Sequence, residues 1–176
     1  MMAMFKRLPI LGALAAALSA CGDGPATVTG SWRSPAAWSA MVYASGAGPL
    51  LVEVVGDPFA AGAGFATTVA DALDNQVIGR VVRFTARRDL AARPGFRVIV
   101  AFDPPPAATA RDLCAGKVGG GAPGGERIGV LAAFCDGEGE VLSSVSGWVA
   151  KAASPSDRRF RQLLAQVARA LFGEAM

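Results

Sequence analysis

The chain has 176 residues, 52% of them hydrophobic, with 17 lysines and arginines against 14 acids and no histidine. That length suits one domain with its own core. The lack of histidine excludes Ser-His and Cys-His nucleophile pairs. A formal charge of +3 is not the clustered basic face that nucleic-acid binding needs.

The chain opens with two cations, Lys6 and Arg7, and an apolar run from Leu8 to Leu18 broken by Pro9 and Gly12. A charged segment before a short apolar one marks a secretory signal. It falls short of the roughly 20 apolar residues of a membrane span. Losing Lys6 and Arg7 with that signal takes the formal charge from +3 to +1. The signal closes on Leu18-Ser19-Ala20-Cys21, which resembles the lipobox of bacterial lipoproteins. The resemblance implies cleavage before Cys21 and acylation of its sulfur, with N-acylation of the new terminus; palmitate is one such chain. The alternative is ordinary cleavage after Ala20 and a free Cys21. Enterobacterial lipoproteins with Asp directly after the cysteine stay in the inner membrane. Here Gly22 comes first and Asp23 second, which points to the outer membrane, facing the periplasm. The expected partners are the membrane, through covalent lipid, and an envelope protein or envelope component.

Cys114 and Cys135 remain, an even pair in an oxidising compartment. They read as a disulfide, with two buried thiols as the alternative.

These signals divide the chain into a signal peptide over 1–20, a tether over 21–36, and one domain over 37–173. The tether reading rests on Gly, Pro, Ser and Thr without apolar periodicity. Within the domain, 37–44 is expected to be a strand with Trp38, Ala40 and Val42 on one face, and 50–55 a buried strand. Phe65, Val69, Ala72 and Leu73 predict a helix over 65–76. Strands are expected over 77–86 and 96–102, the latter ended by Asp103 and three prolines. A helical turn over 109–115 and a Gly-rich loop over 116–125 follow. Runs at 128–134 and 141–149 flank a polar Gly-containing turn, which predicts a β-hairpin. The last element is a helix with Ser154 as N-cap and Pro155 at its first position. Its apolar stripe is Phe160, Leu163, Leu164, Val167, Ala168 and Leu171, and Gly173 ends it.

Two amphipathic helices over about five mostly antiparallel strands make an α+β two-layer sandwich. The order of elements, the Arg-Val-Val-Arg-Phe and Gly-Phe-Arg-Val-Ile-Val runs, and the Gly-Glu-Val-Leu hairpin ending at Leu142 resemble a group of envelope lipoprotein domains. These are the curli-secretion lipoprotein, the N-terminal domain of the Tol-system β-propeller protein, and lipoprotein activators of cell-wall synthases. The Pro- and Gly-rich segment 103–125 departs from that pattern. The chain is also similar to other proteobacterial envelope lipoproteins. The resemblance is one of fold, which does not carry function.

Chemistry is sparse. Asp136, Glu138 and Glu140 alternate as in a calcium loop, but Val141 and Gly147 stand where glycine and an acid are required, so a hairpin turn is the better reading. The Gly116–Gly121 segment lacks the spacing of a phosphate loop and reads as surface loop. Arg80, Arg83, Arg87, Arg88, Arg93 and Arg97 face only Asp89 within their span and form a candidate anionic-contact patch, or else a solvated strand face. Trp32, Trp38 and Trp148 are candidates for a glycan or lipid site, with core packing the alternative for the latter two. No catalytic residue, metal ligand or cofactor is nominated, and the expected role is non-enzymatic. Alternatives are a small-ligand or lipid-binding module with an apolar pocket between sheet and helices, and a cell-wall hydrolase with converging carboxylates.

Overall fold

The computed structural model describes residues 27–121, 125–150 and 152–173. Cys21 and the lipobox lie outside them. The central strand β4 (Phe96–Phe102) is apolar almost throughout because both its faces are covered. Antiparallel to it runs β5 (Arg127–Asp136), followed across the hairpin by β6 (Glu140–Ala150). On its other side β2 (Leu50–Val55) pairs parallel with β4 and with the two-residue β3 (Phe84–Thr85). The outer edge beside β6 is β1 (Thr27–Arg33), so the order is β1-β6-β5-β4-β2-β3. The architecture is α+β with an open six-stranded sheet.

Three helices cover one face: α1 (Ala37–Ser45), α2 (Phe65–Leu73) and α4 (Arg158–Phe172). Alternate sheet residues point into this layer, among them Val98, Val100 and Phe102, and Val130, Ala132 and Phe134. The α4 stripe is the one read from sequence, and Phe160, Leu163, Leu164, Val167 and Leu171 are all fully buried. Each such side chain contributes about 1.5–3 kcal/mol on burial. The opposite face is covered only in part, by the short α3 (Ala110–Cys114). There Leu113, Cys114, Ile99, Ala101, Ala133 and Cys135 make a second small core.

Several expectations need correcting. The residues read as tether, 21–36, contain β1, which pairs antiparallel with β6 over Thr27 to Arg33. Val28 packs on the core, and Arg33 donates to the Ala170 carbonyl at the end of α4. Gly173 has φ +71°, a backbone conformation that favours glycine, and the Arg33 guanidinium packs against it. The segment 37–44 is helical. Ala37, Met41 and Ala44 are its buried positions, and their i, i+4, i+7 spacing coexists with the alternation that suggested a strand. The Ser34 side chain accepts from the Ala36 amide and turns the chain into that helix. Of the strand expected over 77–86, only Phe84 and Thr85 pair. Asn75 takes φ +59° and its amide donates to the Val82 carbonyl, closing 75–82 into a loop that buries Val77 and Val82 without a ladder. The N-cap of α4 is Asp157, not Ser154, because the Asp157 carboxylate accepts from the Arg159 amide and also from the Ala153 amide before it. The sheet is antiparallel in three of its five pairings and parallel at its β4-β2-β3 side, and the described residues hold four α-helices where two were expected.

Candidate functional site

The cysteine pair comes together as read. Cys114 ends α3, Cys135 lies in β5, both are fully buried, and they form a disulfide with their Cα atoms 5.7 Å apart. Thr109 makes α3 possible at that spot, since its hydroxyl accepts from the Asp112 amide at the helix start. The clip is doubled by Arg97 from β4. Its guanidinium donates to the Cys114 carbonyl and to the Gly137 carbonyl of the hairpin, both at 2.9 Å. Its Nε lies 3.1 Å from Glu53 of β2, a coulombic approach that is not aligned as a hydrogen bond. Sheet, α3 and hairpin turn therefore meet on one buried cation.

Arg97 is thus withdrawn from the anionic-contact patch, for it is only 8% exposed and its donors are used internally. The other five lie on one stretch of chain. The connection from α2 to β4 runs over residues 74–95 with only β3 as regular structure, and it carries Arg80, Arg83, Arg87, Arg88 and Arg93. Arg83 pairs with Asp74 at 2.7 Å, where Asp74 also accepts from the Phe84 amide. Arg87 pairs with Asp89 at 2.6 Å, both ends well exposed. The Arg87 hydrogen bond holds the Asp89 carboxyl below its ordinary pKa and raises that of Arg87. Arg93 lies over the Tyr43 ring, 3.9 Å from its centroid, and donates to the Tyr43 carbonyl. Arg88 is 3.9 Å from Glu53, and the Nε of Arg80 is buried with no hydrogen-bond partner among the described residues.

Sequence reading missed the apolar half of this surface. Exposed large apolar residues in the structure are Trp32, Tyr43, Ile78, Val81 and Leu90, and all but Trp32 flank the arginines. Val81 is 78% exposed. In the sequence, Ile78-Gly79-Arg80-Val81-Val82 carries the same alternation as a strand, which hides the exposure of Ile78 and Val81.

The tryptophans do not converge. Trp38 belongs to α1 and packs on the core layer. Trp32 sits opposite Ser144 on β6, whereas Trp148 pairs with Thr27 and Gly129 and carries Arg127 over its ring at 4.7 Å. Grooves are shallow and peripheral. One of about 370 Å³ lies between the proline run and β5-β6, lined by Asp103, Pro105, Leu131 and Ser146. Another of about 410 Å³ lies at the start of α2, beside Gly56, Asp57 and Phe65. The space between sheet and helices, where a ligand module would hold its pocket, is occupied by the buried side chains of the main core. Several acids bind nearby groups: Asp57 accepts from the Phe59 and Gly62 amides, Asp103 from the Gly129 amide, Asp112 from the Thr109 hydroxyl, and Asp157 from the Arg159 amide. The Arg159 and Ala153 amides hold Asp157 below its ordinary pKa. Among the described residues no group of three His, Cys, Asp or Glu is placed to hold a metal ion.

The Gly-rich loop is not a phosphate cradle. Gly120 lies against the backbone of Gly56, and Gly121 donates to the Phe102 carbonyl beside Asp103. A β-carbon on Gly120 or Gly121 would come within 2.2 Å of that backbone, so glycine is required by close approach.

No family model and no curated relative matches the chain. Among solved structures, a dodecamer of PelC from Paraburkholderia phytofirmans is similar at 17% identity and a TM-score of 0.40, over 86% of this chain and all of that one. A likeness this distant assigns neither a family nor an activity.

Proposed function

We propose that the protein is a lipid-anchored cell-envelope lipoprotein, held through Cys21 at a membrane and acting as a non-enzymatic accessory or interaction domain. The observation that carries this reading is the Leu18-Ser19-Ala20-Cys21 motif closing a charged and then apolar segment. Two or three acyl chains at roughly 0.8 kcal/mol per buried CH₂ give firm attachment. The outer membrane, facing the periplasm, is the favoured site because Gly22 rather than Asp directly follows Cys21. The fold supports an interaction role in one respect. Asp57, Asp103 and Asp157 serve turns and a cap, whereas the connection over 74–95 gathers five arginines beside exposed apolar side chains.

The test is metabolic labelling with a clickable palmitate analogue in a bacterial host, with membrane fractionation. Label on the wild-type chain and none on Cys21→Ser, with release of the variant from membranes, is the expected result. An unlabelled wild-type chain overturns the anchor.

A further inference from the structure

The connection between α2 and β4 has a composition that neither a solvated face nor a core requires. Over 78–93 it carries five arginines against one acid, Asp89. Through the same stretch run Ile78, Val81 and Leu90, which are 43%, 78% and 50% exposed, with Tyr43 at 57% beside Arg93. An irregular connection of this length is uncommon in a compact domain unless it has a task. A stretch of exposed aliphatic side chains interleaved in sequence with arginines suits the boundary of an anionic bilayer. There arginines meet phosphates and aliphatic groups reach the acyl edge.

We infer that this loop surface, centred on Val81, Arg87, Arg88 and Leu90, is a docking site for an anionic membrane surface. The internal ion pairs do not prevent it. The Arg87–Asp89 pair is about two-thirds exposed at both ends, and such pairs are worth little, so lipid phosphate can take over the guanidinium. The acids of the hairpin, Asp136, Glu138 and Glu140, border the patch at its Arg93 end, where the Gly137 amide donates to the Gly95 carbonyl and Asp136 pairs with Phe96. The site goes beyond the anchor and does not depend on it.

The experiment uses the full chain carrying Cys21→Ser, so that acylation plays no part. Cosedimentation is measured with vesicles of phosphatidylcholine alone, and with phosphatidylcholine containing roughly a third phosphatidylglycerol. Salt-sensitive binding to the second and not the first is expected. Arg87→Gln with Arg88→Gln should weaken it roughly thirtyfold, and Val81→Asp should weaken it likewise. These side chains are exposed, and unchanged thermal unfolding checks each variant; Leu90→Asp replaces any that fails. Binding that survives the loop variants unchanged belongs to the apolar segment 8–18 and overturns the inference. So does the absence of vesicle binding, including the case where an acidic protein is captured through the loop instead. A failure of acyl labelling at Cys21 leaves this result standing, so the two readings fail separately.

Discussion

Reducing the Cys114–Cys135 bond should lower the stability of the domain by about 3 kcal/mol. The bond joins residues 21 apart in sequence. In the chain-entropy account, closing a loop of that length removes about 11 cal/mol/K from the unfolded ensemble, or about 3.3 kcal/mol at 25 °C. The native state gives little back. In the reduced form α3 is still held by buried Leu113 and by the Arg97 bond to the Cys114 carbonyl, so the main change falls on the unfolded chain. The assay is urea unfolding of the Cys21→Ser chain with and without reductant, followed by circular dichroism. The midpoint should fall and the slope should rise, because an uncrosslinked chain exposes more surface. A domain of this size should lose roughly 6–12 °C in Tm. A loss below about 1 kcal/mol would refute the reasoning and mean that the unfolded loop is already restricted, or that the bond is not formed in solution. Arg97→Met in the same series should couple with reduction rather than add to it, since both act on Cys114.

Arg97→Met by itself should cost about 2–5 kcal/mol, because it strips charged donors from the Cys114 and Gly137 carbonyls, while Glu53 keeps Arg88 at 3.9 Å. Glu53→Gln should cost clearly less, its carboxylate being 40% exposed; equal losses by urea unfolding would contradict the picture of a buried cation as the hub. Phe160→Ala should cost about 3–5 kcal/mol, since the ring is fully buried against Phe59 at 4.9 Å and Phe102 at 5.4 Å. A thermal melt within 2 °C of wild type would refute that packing. Asp157 sets a pH dependence. Its folded pKa is depressed, so its contribution is fully present above the unfolded carboxylate value of about 3.9 and is lost as pH falls through the folded value. Asp157→Ala should remove that part of the acid limb of a stability-versus-pH curve; an unchanged limb would exclude the cap.

Elements whose pattern has one physical meaning were legible. The α4 stripe at 3.6-residue spacing, the apolar run of β4 and the hairpin around 136–140 stand where periodicity puts them. The failures share a cause. For 37–44 the apolar spacing satisfies both a helix and a strand, and the turn set by Ser34 decided between them. For 77–86 the alternation is genuine, but Val77 and Val82 are buried from a loop, so partner availability and not pattern decided pairing. β1 lacks an apolar rhythm because it is a sheet edge, with only Val28 packed on the core and Trp32 left outside.

The sequence by itself determined the two-layer α+β class, the cysteine pair and the basic character of the stretch from Arg80 to Arg93, since each depends on residue type and local spacing. Only the tertiary structure decided that Arg97 leaves that group to become a buried clip, and that Ile78, Val81 and Leu90 join it from outside the core. It also decided that Gly120 and Gly121 exist to let one backbone touch another. Burial and close approach are set by what lies across the fold, and that information is carried by residues far away in the chain.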